Sequence, residues 1–393
     1  VILILAPTWA LRSVSATDLG AATIELIDGS QFNGSIQSID ASGGVLGEGV
    51  PLGLKVSEIL SIQTDRQPQS GAESEITIHL VGGGKLMAGR PSMAGEKTRF
   101  QSDVGVSELP LQSIRAIVWS SSPGVQAAIK EPSAENDKVI VQTDAGERTV
   151  EGVLEGIDAE QIQLNYQGES RKIGLSKIKA IVTADLGFKK PDGSMAAINL
   201  LDGSQIVGVV SELTDGILKI TLAGDASVGL KTEAIENIAI ASDRILFLSD
   251  AQPIDVQEKS VFAIQRPWKR NRSVEDNPLR LGSDSAGKTS VFKKGLGTQA
   301  FCRLEFANTN EFDRFNAIVG IDAETGGRGD CQVVVRGDGI ELWSQRVRAT
   351  DDPHKVGVDI TGIKKITLIV YPGEEFDLGD HVDWCDARFL KTK

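Results

Sequence analysis

The chain is poor in sulfur and in rings. Three cysteines, three methionines, three histidines and two tyrosines are spread over 393 residues, and aromatic residues make up only 5%. Cys302, Cys331 and Cys385 form no CxxC pair, which excludes the common zinc frames, and an odd count describes no disulfide framework. A Cys302–Cys385 bridge between terminal strands stays open beside buried thiols, which are the preferred reading. No dense Lys/Arg block is present. Lys269-Arg270-Asn271-Arg272 is the most basic spot and reads as a solvated linker. With a formal net charge of -13, this excludes nucleic acid as a partner and argues against an anionic membrane surface. No apolar run is long enough to span a bilayer, so no transmembrane segment is expected. His79, His354 and His381 lack a Ser or Cys nucleophile nearby, and no carboxylate pair sits in a recognisable frame, so catalysis is not expected.

What is abundant is glycine, 42 residues, together with Val, Ile and Thr in short runs. That favours short strands and tight turns over helices, and the length calls for several domains. At the start, the apolar run Val1 to Pro7 continues through Trp9-Ala10-Leu11, and Val14 and Ala16 suit a signal-peptidase cut. Residues 1–16 are read as the remnant of an export signal.

From Ala21 to Asp243 the chain repeats itself. Ile24 to Gly34 and Ile198 to Gly208 share a strand, an Asp-Gly-Ser-Gln turn, a returning strand and a later glycine suited to a bend or bulge. Weaker copies start at Ile76 and Val139. All four end alike, on Leu54/Ile59/Ile62, Leu111/Ile114/Ile117, Leu175/Ile178/Ile181 and Leu230/Ile235/Ile238. The expected units are 17–65, 74–122, 137–185 and 196–243, each about five short strands curled into a small β-barrel, since closure removes exposed edges. Polar joints, among them Pro123 to Asn136, read as linkers between separately packed units. The pattern resembles Sm-like and SH3-like barrels, without the basic RNA-contact loops of true Sm proteins.

Past Asp243 the texture changes. Phe315, Ala317, Val319 and Ile321 alternate, Cys331 to Val335 reads as a buried strand, and Thr361-Gly362 turns between two more. About eight strands without a helix predict a galactose-binding-like jelly-roll β-sandwich over residues 245–393, making the chain all-β. Leu248-Ser249-Asp250, Arg272-Ser273-Val274, Leu279 to Gly282, Lys294-Gly295-Leu296-Gly297, Phe315 to Asp322, Gly327-Arg328-Gly329, Gly337-Asp338-Gly339 and Asp380 to Arg388 together resemble the NPCBM family of carbohydrate-binding modules. The resemblance implies a jelly roll of the kind appended to secreted glycoside hydrolases. It departs at Gln299-Ala300, where the family usually shows a histidine after Gly-Leu-Gly.

Glycan binding needs an aromatic face for the sugar's C–H side and planar polar groups for its hydroxyls. Trp268, Trp343 and Trp384 are candidates for the first, and Asp322, Arg328, Asp338, Asp380, His381 and Asp383 for the second. The competing readings are structural: Trp384 as core ahead of a strand, Trp343 on a hairpin face, Asp338 in a turn, Asp322 capping a loop. The proposed carbohydrate site is Asp322, Arg328, Trp343, His381, Asp383 and Trp384. The Asp380-His381-x-Asp383 cluster could bind a structural calcium with Asp322, face a sugar, or lock the last strand through hydrogen bonds; the last is preferred. The expected protein is exported (secreted, periplasmic or at the cell surface), non-catalytic, and binds a carbohydrate or glycosylated surface. The alternative is a structural or protein-docking protein, with protein partners through the repeats.

Overall fold

A computed structural model describes residues 18–68, 74–260, 266–282, 289–309, 312–374 and 376–392. The export-signal remnant expected over 1–16 lies outside the described residues. The chain divides into two compact units, residues 1–242 and 243–393.

The first unit repeats one pairing scheme. In the fourth repeat, Met195–Leu200 pairs with both Gln205–Thr214 and Ile235–Ile240. The ladder continues through Ile217–Thr221 to Ser227–Lys231. The third repeat copies it with Asp137–Thr143 at the centre. In the first repeat a lone Gly44–Lys55 bridge stands in for the fourth strand. The second repeat sends its middle strands into a separate three-stranded sheet. A single 3-10 turn precedes the last strand of every repeat: Val56–Glu58, Leu111–Ser113, Leu175–Lys177 and Thr232–Ala234.

Local chemistry accounts for the turn. Only its glycine takes positive φ, 90° at Gly29 and 86° at Gly203, and the preceding aspartate accepts the amide of the serine after it at 2.8 Å. The later glycine serves a different end from the bulge expected of it. A Cβ on Gly208 would stand 2.5 Å from the Thr221 carbonyl oxygen, and one on Gly34 2.7 Å from that of Glu48. These are close backbone approaches, and the register shifts fall just beyond them.

The repeats do not stand apart on linkers. Ile59–Thr64 of the first pairs with Ile235–Ile240 of the fourth, with Ile62 opposite Ile238. Ile114–Val118 of the second pairs with Ile178–Val182 of the third, with Ile117 opposite Ile181. Equivalent strands therefore meet antiparallel about equivalent isoleucines, as in an isologous interface. One apolar cluster, from Leu19 to Ile240, runs through all four repeats. The stretch read as a linker from Pro123 contains a helix, Pro123–Lys130. Ser122 caps it, accepting the Val125 amide at 3.1 Å, and proline fills its first turn. Val125 packs with Ala116, Val118, Ile140, Ala180 and Val182 over the second joint. The first joint has side-chain hydrogen bonds instead: Thr64 Oγ1 donates to Glu236 O at 2.7 Å and Arg66 to Thr232 O at 2.6 Å.

The second unit is a two-sheet sandwich. One sheet runs Asp255–Glu258, Cys302–Ala307, Lys365–Pro372, Asp330–Gly337, Ile340–Arg348. The other runs Lys269–Arg270, Gly295–Gln299, His381–Leu390, Arg314–Ile321, His354–Asp359, with Ile245–Phe247 also on the His381–Leu390 strand. Phe306, Phe315, Phe389, Val333 and Trp384 fill the space between them. All three cysteines are buried free thiols, so the Cys302–Cys385 bridge is absent. Cys302 belongs to one sheet and Cys385 to the other.

Candidate functional site

Alternation along His381–Leu390 sorts the side chains expected to act together. Val382 and Trp384 point into the core, while Cys385 joins a small cluster with Leu279 and Leu281 over the outer face of the sheet. His381 and Asp383 share that outer face. Trp384 is therefore a core residue inside the strand, fully enclosed, with no face to offer a ligand. The neighbouring Gly-Leu-Gly fits this packing. A Cβ on Gly295 would stand 2.7 Å from the Trp384 carbonyl oxygen, and one on Gly297 2.3 Å from that of Arg272. Leu296 between them enters the core.

Register then puts Gln299 directly opposite His381. The two lie beside each other on the outer face, at the margin of a cleft of about 690 Å³. Asn277, Glu324, Arg328 and Asp377 also line it. Glu324 is the best-anchored of these groups. Its carboxylate accepts from Ser273 Oγ at 2.5 Å and Asn277 Nδ2 at 3.0 Å, and meets His381 Nδ1 at 2.9 Å. Burial alone would raise its pKa, but the bonds from Ser273, Asn277 and His381 win and hold the carboxyl below its ordinary range.

Asp322 sits behind this pair. It caps the 3-10 turn Ala323–Thr325 by accepting the Glu324 amide at 2.7 Å, and accepts the Arg280 amide at 3.1 Å. Its own amide donates to His381 O at 2.8 Å. Asp383 is hydrogen-bonded to Asp322, and both are almost fully enclosed. Burial, then this bond and the Asp322 charge, push the Asp383 pKa well up. Asp380 faces elsewhere, accepting the Asp330 amide at 2.8 Å and the Gly373 amide at 3.2 Å. Asp322, Asp380 and Asp383, the possible calcium ligands, thus do not converge. No group of three or more His, Cys, Asp or Glu among the described residues is placed to hold a metal ion.

Of the six sequence-predicted site residues, His381 and Arg328 line the cleft, and Asp322 and Asp383 support it from beneath. Arg328 is exposed and makes no hydrogen bond or ion pair among the described residues. Trp343 is half-buried on the edge strand Ile340–Arg348 of the opposite sheet, packed against the core. Trp268 is half-buried with the Arg270 guanidinium over its ring at 5.2 Å. Asp338 makes a turn at φ 47°, accepting the Lys364 and Lys365 amides.

Glu324, Asn277 and Asp377 were missed by sequence reasoning. Glu324 had a local signal, two residues after an aspartate that caps a turn. Asn277 and Asp377 had none, since their place depends on strands far away in the chain. A smaller annexe of about 260 Å³ adjoins the cleft through Ser260, Arg266 and Gln299, with Val256, Pro267, Ala300 and Phe301 as its apolar walls.

Residues 245–390 match the family model of the NPCBM/NEW2 domain. The matched domain is a little over a third of the chain and carries the whole cleft. Among solved structures, a CBM51 from Clostridium perfringens GH95 in complex with methyl-galactose is 21% identical. The likeness covers 37% of this chain and 99% of that one, with a TM-score of 0.34. The CBM51-2 and INT domains of Clostridium perfringens ZmpB, in complex with GlcNAc, are 20% identical over 56% of this chain and 45% of that one, with a TM-score of 0.35. The tandem CBM51 modules of Sp3GH98 from Streptococcus pneumoniae SP3-BS71 are 14% identical over 83% and 92%, with a TM-score of 0.34. No curated protein matches the chain. No helix among the described residues is long and apolar enough to cross a membrane.

Proposed function

We propose that the chain is an exported, non-catalytic carbohydrate-binding protein whose glycan sits in the cleft of the C-terminal domain. The observation that carries this is the set of donors and acceptors lining a concavity on the matched domain: Glu324 and His381 locked together, Asn277 beside them, and Arg328, which makes no hydrogen bond or ion pair among the described residues. Sugar hydroxyls, each both donor and acceptor, suit such a mixed lining. The state of the acids supports a holding role over hydrolysis. A glycosidase needs two carboxyls free to act across the cleft, whereas Glu324 is engaged by Ser273, Asn277 and His381, Glu275 by Arg266 and Asp377 by Ser260. The N-terminal repeats, read as four small Sm-like or SH3-like barrels, would carry the module.

The second reading, protein docking without a sugar site, draws on the absence of any tryptophan among the described residues lining the cleft. A glycan array probed with the full chain separates the two. Binding that is lost in Arg328→Ala, with the melting temperature unchanged, supports the carbohydrate reading. Silence across a broad array rejects it in favour of docking.

A further inference from the structure

The annexe beside the cleft is built from a different chemistry than the cleft, and Gln299 stands where the two meet. Its Nε2 donates to the Asp377 carbonyl at a long 3.4 Å. A carbonyl only accepts, so this contact fixes which end of the amide is the nitrogen and turns Oε1 the other way. Oε1 makes no hydrogen bond among the described residues. The side chain therefore offers one oriented acceptor where cleft and annexe join. On the annexe side it is followed by Ala300 and Phe301, and Lys259 brings a cationic donor to the same small space; Arg266, also there, is paired with Glu275, and the Glu258 carboxylate accepts the Trp268 amide. Phe301 is held by Tyr371, with ring centroids 5.6 Å apart.

Three features thus stand together: an acceptor, an apolar wall and a cationic donor. Resting on the carbohydrate reading of the cleft, we propose that Gln299 makes the site select a sugar bearing an acetamido group. The acetamido N–H donates to Gln299 Oε1, its methyl lies against Phe301, and its carbonyl accepts from Lys259. A sugar with a plain hydroxyl at that carbon satisfies the acceptor but leaves the apolar wall against water and Lys259 without that carbonyl. A site built for a polar group discriminates strongly against ligands that leave its groups unpaired.

The test is calorimetric titration of the full chain with the methyl glycosides of N-acetylglucosamine, N-acetylgalactosamine, glucose and galactose, with N-acetyl-lysine amide as a non-sugar acetamide. The expected result is an affinity for at least one acetamido sugar about tenfold or more above its parent hexose. Gln299→Leu should collapse that ratio towards one. Saturation-transfer NMR on the unsubstituted chain gives a readout independent of any variant, and its strongest signal should fall on the acetyl methyl. Equal or better binding of the parent hexoses overturns the selection by Gln299 and leaves the carbohydrate reading standing. Equal binding of N-acetyl-lysine amide overturns the sugar assignment of the annexe. No binding of any sugar, here or on the array, overturns both.

Discussion

The two units bury different chemistry. Among the described residues, the enclosed polar side chains of the N-terminal unit are Thr64, Thr98, Ser113, Thr183, Ser204 and Thr232, all uncharged hydroxyls. The C-terminal unit encloses Asp322, Asp377, Asp380, His381, Asp383 and Arg388. A buried hydroxyl needs one bond and is cheap to satisfy. A buried charge costs several kcal/mol unless paired, and nothing about holding a sandwich together demands it. The first unit is what β-strands look like when packing alone selects their interior. The second carries an added polar layer on the outer face of one sheet, and the cleft is the place where that layer reaches solvent.

The sharpest way to break this comparison is to damage one interior and ask whether the other responds. Trp384→Ala empties the largest fully buried side chain of the sandwich. It should destabilise the C-terminal unit by about 3–5 kcal/mol, seen in calorimetry as a fall of one transition while the N-terminal unit melts unchanged.

A smaller effect probes the polar layer. Glu324→Gln keeps the shape but loses the charge that Ser273, Asn277 and His381 all address. A cost of about 1.5–3 kcal/mol in C-terminal stability is expected, with weakened glycan binding in the same variant.

Asp380, enclosed away from Glu324 and His381, should also make the C-terminal unit pH-sensitive. Burial, opposed by the Asp330 and Gly373 amides and reinforced by the charges of Asp330 and Asp377, pushes the Asp380 pKa up to about 6. A carboxyl raised in the fold favours the protonated chain. Its stabilising contribution is complete below the unfolded value and is lost as pH climbs through about 6. Chemical denaturation between pH 4 and 7 should show C-terminal stability falling by up to about 1.4 kcal/mol per pH unit. Asp380→Asn should flatten that slope, and the N-terminal transition should lack it.

At the small end, Arg90→Ala removes a solvent-exposed pair with Glu75. It should change N-terminal stability by less than about 0.5 kcal/mol.

These contrasts also mark what one sequence could disclose. The Asp-Gly turns, the Ile-x-x-Ile endings and the alternation of Phe315 to Ile321 are local patterns, and local patterns predicted the strands and the change of texture past Asp243. The Pro123–Lys130 helix was hidden because its apolar face is little more than Val125, with Ala128 and Ile129 beside it, and its polar flanks read as linker. The pairing of repeat ends was hidden because any of four equivalent strands could have met any other. At the site, the motif Asp380 to Arg388 was visible but its faces were not. Only the register against Gly295–Gln299 sends Trp384 inward and His381 outward beside Gln299. Gln299 was noticed as a departure from a family pattern, and its bond to Asp377 O needed the fold.

The joint between first and fourth repeats also bears on how the protein is made. Gln63 meets the Glu236 carbonyl across 173 residues of chain. At ribosomal speeds of roughly 5–20 residues per second, the first repeat waits on the order of ten to thirty seconds for its partner. Meanwhile the second and third, neighbours in sequence, can already dock. The nascent first repeat therefore carries an open ladder edge through most of its synthesis, the kind of edge that recruits stray strands. A chain ended at residue 194 would keep that edge for good and should self-associate, measurable by light scattering.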